Sequence, residues 1–162
     1  MKRQFRTPSQ SQGFTLIELM IALVVLAIVM ALAIPSFRES AARSALKTST
    51  MDLIASINNS RAQAVNLGTV ATLAATDGVS WTNGWEMTIP APHDKENQEF
   101  AAKANVSIVT VGGENSLDFR RDGTTSAQVV FQVCHDNLTA ETGRQISINR
   151  LGRTTNEEFI CP

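Results

Sequence analysis

The chain has 162 residues and a formal charge of −1, enough for one modest domain plus an anchor. The three cations of the first 13 residues (Lys2, Arg3 and Arg6) leave 11 basic against 15 acidic residues in the remainder, a charge of −4. That balance argues against a strongly basic nucleic-acid-binding domain, while local basic patches remain open to it.

The first element in chain order is apolar. Sixteen uninterrupted apolar residues run from Leu19 to Ile34, and with Phe14 to Glu18 the segment reaches 21, enough to cross about 30 Å of hydrocarbon as a helix. The cations before it are expected to stay cytoplasmic, which places everything after Ile34 on the outer side. An ordinary secretory signal is one reading, because Ala31-Leu32-Ala33 fits a small-x-small cleavage site. Against it, Glu18 is badly placed for an apolar core, and the helical pattern continues past that cut. A plain anchor helix is another reading, and it explains neither Gly13 nor Glu18.

Pro35 removes one backbone donor and is expected to kink the helix rather than end it. Residues 36–67 contain no glycine or proline. Leu46, Leu53, Ile57, Ala64 and Leu67 recur on one helical face, while Arg38, Glu39, Arg43, Lys47 and Asp52 occupy others. Gly68 is the expected stop. The helix therefore begins at Phe14 and runs to Leu67, with residues 14–35 in the membrane or filament core and residues 36–68 amphipathic.

Residues 69–162 change period and form a β-rich head. Strands are expected at Thr69–Ala74, Trp85–Ile89, Val106–Val111, Ser116–Arg120, Gln128–Val133 and Gln145–Asn149. Asp77-Gly78, Asn83-Gly84, Gly112-Gly113, Asp122-Gly123 and Leu151-Gly152 mark the turns. Trp81 and Trp85 are expected to anchor the first strands in the core, and residues 90–105 read as a surface loop. The fold class is α+β, one long helix packed on an antiparallel sheet head.

The junction "GFTLIELM", preceded by a basic leader and followed by a long apolar run, resembles the type IV prepilin processing motif. The resemblance implies a leader at residues 1–13, cut by the prepilin peptidase between Gly13 and Phe14, and N-methylation of Phe14. It also accounts for Glu18, five positions into the mature chain. A buried carboxylate is costly unless it finds a partner. By the resemblance, that partner is the Phe14 amine of a neighbouring subunit, which would favour assembly and set its register.

The head carries a second resemblance. "SRAQAVNLGTVATL", "GVSWTNGWEM" and the closing "LDFRRDGTT…VVFQVC…GRQISINRLGRTT" are similar to the GspH/FimT family of minor pilins and pseudopilins, with FimU-type members fitting best. This implies a type IV pilin-like fold and a structural role as a minor pilin that enters or primes a type IV pilus at its tip. The expected partners are the major pilin, other minor pilins and the inner membrane. The alternatives are a type II secretion pseudopilin and a DNA-uptake subunit. DNA is disfavoured, because DNA-binding members carry Gly-Arg-x-Arg where this chain has Gly152-Arg153-Thr154-Thr155, followed at once by Glu157 and Glu158. Arg150 and Arg153 would be the contacts, with Arg120, Arg121 and Arg144 as further cations; all five read better as solvated strand and turn positions.

With the head exported, Cys134 and Cys161 are expected to form one disulfide; in a cytosolic protein they would be free thiols. The tail carrying Cys161 would then lie beside the strand ending at Cys134. No catalytic, metal or cofactor constellation is evident. His93 and His135 read as surface histidines in loops, without a nucleophile or further ligands at useful spacing.

Overall fold

The computed structural model describes residues 13–92, 98–138 and 142–162. The chain divides into two compact units with the boundary between Arg38 and Glu39. The helix α1 (Leu16–Leu67) contributes to both, and Pro35 lies inside it without ending it.

In the first unit every residue of α1 up to Arg38 is exposed. From Leu19 to Ile34 the helix is apolar on all sides rather than on one, as suits a segment surrounded by lipid or by other helices.

In the second unit α1 has one buried face, made by Ala42, Leu46, Ser49, Thr50, Leu53, Ser56, Ile57, Ser60 and Ala64. The expected face is there, with Leu67 only half-buried at its end. The pattern of large apolar residues did not mark the hydroxyl residues that share it. Thr50 donates to Leu46 O, Ser56 to Leu53 O and Ser60 to Ser56 O, each at 2.8 Å, so these three buried hydroxyls are satisfied within the helix, while Ser49 Oγ accepts the Lys103 N–H at 2.9 Å. Gly68 ends the helix at φ 63°, and Thr69 N–H bonds back to Ala64 O at 3.2 Å, the six-residue closure of a Schellman cap.

The strands are β1 (Ala71–Ala75), β2 (Trp85–Thr88), β3 (Gln98–Phe100), β4 (Val106–Thr110), β5 (Ser116–Phe119), β6 (Val129–His135), β7 (Thr142–Ile148) and β8 (Thr154–Ile160). They form two antiparallel four-stranded sheets, in the orders β3-β2-β1-β5 and β4-β6-β7-β8. All six expected strands are present, three of them starting where expected and the other ends shifted by one to three residues. β3 lies in the stretch read as loop: Gln98 pairs with Met87, and Phe100 stacks on Trp85 with ring centroids 5.9 Å apart. β8 has no apolar alternation because almost all of it is exposed. It is held by seven register pairs with β7, from Thr142↔Ile160 to Ile148↔Thr154.

The core lies between the buried face of α1 and the two sheets. Trp81 and Trp85 are both in it, as expected. Trp81 meets Phe131 edge-on at 4.8 Å and donates its indole N–H to Glu114 O at 2.8 Å. A buried aromatic with a polar edge needs such a partner.

Two expectations are corrected. His135 is buried, because the alternation of β6 turns it inward; its Nδ1 accepts from Asn137 N–H at 3.1 Å. The tail carrying Cys161 pairs with β7 rather than lying beside β6, so β7 separates the two half-cystine strands. His93 lies outside the described residues.

Candidate functional site

The N-terminal site begins at Gly13, which is exposed. A Cβ placed on Gly13 would meet nothing within 4 Å, and its φ is not in the left-handed region. Nothing among the described residues therefore demands a glycine there. Phe14 beside it is exposed, and so is Glu18. Thr15 Oγ1 accepts the backbone N–H of Glu18 at 3.3 Å. That is the forward half of a capping box, with Thr15 as N-cap and Glu18 three residues on. The Thr-x-x-Glu spacing was legible in the sequence. A carboxylate in the first turn also faces the positive end of the helix dipole.

From Leu16 onward α1 is long and apolar enough to cross a membrane, and none of its most apolar stretch is buried. The arrangement presents a continuous apolar surface carrying one carboxylate near its start.

In the head, the structure joins Cys134 to Cys161 with a Cα–Cα distance of 5.9 Å. Strands two apart in a sheet are separated by about 9.5 Å, so Cys161 must fold in over β7 to reach Cys134. It does so at Gly143. A Cβ there would strike the Cys161 Sγ and lie 2.6 Å from Val133 O and 3.1 Å from the Cys134 Sγ. Sequence reasoning missed Gly143; its place beside an otherwise well-patterned strand was the available signal.

The candidate cations divide into two groups. Arg120 and Arg121 lie in the β5–β6 turn, and Arg150 and Arg153 in the β7–β8 turn; all four are exposed. The two turns are tied together. Thr125 N–H donates to Arg150 O at 3.0 Å, and Arg61 on α1 donates from Nε to Gly123 O at 3.0 Å and from Nη2 to Leu151 O at 3.4 Å. Asn149 Oδ1 accepts the N–H groups of Leu151 and Arg153, both at 3.0 Å, which shapes the second turn. Gly152, at φ 72°, approaches Gly123 O so closely that no side chain fits. The cations share this corner with Asp122, whose carboxyl is held below its ordinary range by the Thr124 hydroxyl and then by the Thr124 backbone N–H. Arg144 stands apart at the other end of β7, 3.6 Å from Glu158.

Elsewhere in the head, Asp77 organises the β1–β2 connection by accepting from the N–H groups of Val79 and Ser80 at 2.8 and 2.7 Å and from Asn83 Nδ2 at 2.6 Å. These donors, Ser80 first, lower its pKa to about 2. Among the described residues no three His, Cys, Asp or Glu side chains come together as a metal site would require.

Comparison with known proteins bears on both ends of the chain. Residues 8–34 match the family model described as prokaryotic N-terminal methylation motif. No curated protein sequence matches the chain. The fold is similar to that of the type IV minor pilin FimU of Pseudomonas aeruginosa strain PAO1 (TM-score 0.62, 21% identity, covering 71% of this chain and 90% of that one). It is also similar to the minor pseudopilin EpsH from the type 2 secretion system of Vibrio cholerae (TM-score 0.56, 11% identity, 69% and 95% covered). These likenesses establish the type IV pilin fold, a long N-terminal helix with antiparallel sheets. Residues 49–152, more than half of the chain, match the model of the family described as type II transport protein GspH, and the chain belongs to that family.

Proposed function

We propose that this chain is a minor pilin, built into a type IV pilus or priming its assembly, and acting as a structural subunit rather than a catalyst. The observation that carries the reading is the start of α1: from Leu16 to Ile34 an apolar surface exposed on every side, broken only by Glu18. Such a surface needs lipid before assembly and other subunits' helices after it. In this reading residues 1–13 are a leader, and the prepilin peptidase cuts between Gly13 and Phe14. Open space around Gly13 supports that, since the requirement for glycine then comes from the enzyme. The freed Phe14 amine, methylated, becomes the partner of Glu18 on a neighbouring subunit. The head lies in the periplasm before assembly and on the filament afterwards, against the major pilin and other minor pilins.

A second reading, a pseudopilin of type II secretion, is favoured by the family description itself. A DNA-receiving role would use Arg150 and Arg153 with Arg120 and Arg121. The Asp122 carboxylate in the same corner, and Glu157 and Glu158 on the strand that follows, weaken it.

The test is deletion followed by fractionation. The minor-pilin reading expects the mature chain, beginning at Phe14, in filaments sheared from the cell surface, and a loss of filaments on deletion. Intact filaments with a loss of protein secretion would transfer the chain to the secretion apparatus. A mature chain starting at Ile34 would show an ordinary signal peptide and end both readings.

A further inference from the structure

We propose that Asn83-Gly84 is a latent deamidation site held shut by Asp77, and that modification there bars the β1–β2 connection from closing again. The inference is independent of the subunit reading above.

In an asparagine followed by glycine, backbone attack on the side-chain amide meets least hindrance, because glycine has no side chain to shield its nitrogen. The Gly84 nitrogen gives up its proton and attacks Asn83 Cγ. The new N–C bond closes a five-membered imide as the Cγ–Nδ2 bond breaks, and ammonia leaves with that proton. Water then opens the imide, leaving a carboxylate at position 83 on a normal or an isoaspartyl backbone.

The fold calls for both residues of this pair. Gly84 sits at φ 127°, and a Cβ on it would lie 2.7 Å from Phe100 O and 3.3 Å from Thr76 Oγ1. Asn83 supplies its amide Nδ2 as donor to Asp77 Oδ2 at 2.6 Å. The same contacts disarm the pair. The bond to Asp77 restrains the side-chain rotation that ring closure uses. The Gly84 N–H donates to Trp81 O at 3.2 Å, its carbonyl accepts the Thr76 N–H at 3.1 Å, and Gly84 is buried along with Trp81 and Trp85. Loss of the Gly84 proton would leave a buried anion facing the Trp81 carbonyl, which is costly.

Asp77 is itself followed by a glycine and is open to the same ring closure once its carboxyl is protonated. The donors that lower its pKa to about 2, Ser80 N–H first, keep it ionised, and Ala75 O takes the Gly78 N–H at 2.9 Å. The bond between Asn83 and Asp77 therefore guards two susceptible pairs. When the connection opens, the guard fails in one direction. A carboxylate at position 83 would face the Asp77 carboxylate, so two like charges would replace a donor and an acceptor.

Deamidation of the detergent-solubilised full chain in mildly alkaline buffer, followed by peptide mapping and mass spectrometry, tests the guard against a free peptide of residues 79–88. Asn83 should react at least about tenfold more slowly in the chain than in the peptide, because only opened molecules react, and Asp77→Ala should remove most of that difference. Cys161→Ser, which weakens the head from its other sheet and leaves Asp77 in place, should stay slow. Equal rates in chain and peptide, or a slow Asp77→Ala, overturn the proposal. A Cys161→Ser rate matching that of Asp77→Ala assigns the protection to global folding and overturns it as well. The second measurement uses Asn83→Asp, the deamidated product. Its Asp77 should titrate higher than in the native chain, and its Ser80 amide should exchange faster. An unmoved Asp77 midpoint overturns the bar to reclosure.

Discussion

Trp85 on β2 donates its indole N–H to the hydroxyl of Ser56 on α1 at 2.7 Å, a fully buried hydrogen bond that ties the helix to the first sheet. Ser56 in turn donates to Leu53 O at 2.8 Å, so one hydroxyl serves as acceptor to the sheet and donor to its own helix. Ser56→Ala should strand the indole N–H in the core and cost about 1–3 kcal/mol. Denaturant melts of the single variants and of the pair with Trp85→Phe check this. The cost of Ser56→Ala should shrink once the indole donor is gone, and additive losses would show that the bond contributes nothing of its own.

The disulfide closes a segment whose ends are 27 positions apart, for which the chain-entropy model gives about 3.5 kcal/mol. Cys161→Ser should lower the melting temperature and expose β8 to protease before the rest of the head. Gly143→Ala should also destabilise, because its methyl group would strike the Cys161 sulfur. Introduced into the Cys161→Ser background, Gly143→Ala should cost less than in the native chain, although Val133 O still crowds it. Two alkylatable thiols in freshly purified exported protein would remove the bond from the argument.

Asp77 titrates with a pKa lowered from 3.8 to about 2, chiefly by the Ser80 N–H. A carboxyl depressed by folding contributes stability that is present above its unfolded value and is lost as pH falls through its folded one. The β1–β2 connection should therefore hold as pH drops below 4 and loosen near pH 2. The amide resonances of Val79 and Ser80 report this directly. A midpoint near 3.8 would refute the lowered pKa, and Asp77→Asn should abolish the transition.

Glu18→Ala should leave cleavage at Gly13 intact while reducing recovery of the chain in sheared filaments, since the carboxylate would no longer meet a neighbour's Phe14 amine. Thr15→Ala separates this from local helix capping. Thr15 holds the Glu18 backbone N–H, not its carboxylate, so its loss should fray the first turn with little effect on incorporation. Normal incorporation of Glu18→Ala would refute the pairing.

What the sequence determined by itself is whatever depends on local pattern. The long helix, its apolar first part, the buried face through Leu46, Leu53, Ile57 and Ala64, the stop at Gly68 and the six apolar strands all follow from periodicity and turn residues, because helix and strand each repeat on a fixed period. The N-terminal methylation motif that the family model matches over residues 8–34 was readable for the same reason, being contiguous. Tertiary structure decided the rest. β8 was illegible because an edge strand exposed on both faces has no alternation to display; it exists through its pairing with β7. The division into two sheets, the burial of His135, the passage of Cys161 over Gly143, and the joining of the Arg120-Arg121 turn to the Arg150–Arg153 turn through Arg61 all depend on residues far apart in the chain. Pairing of that kind is set by which surfaces can be buried together, and no local window of sequence carries it.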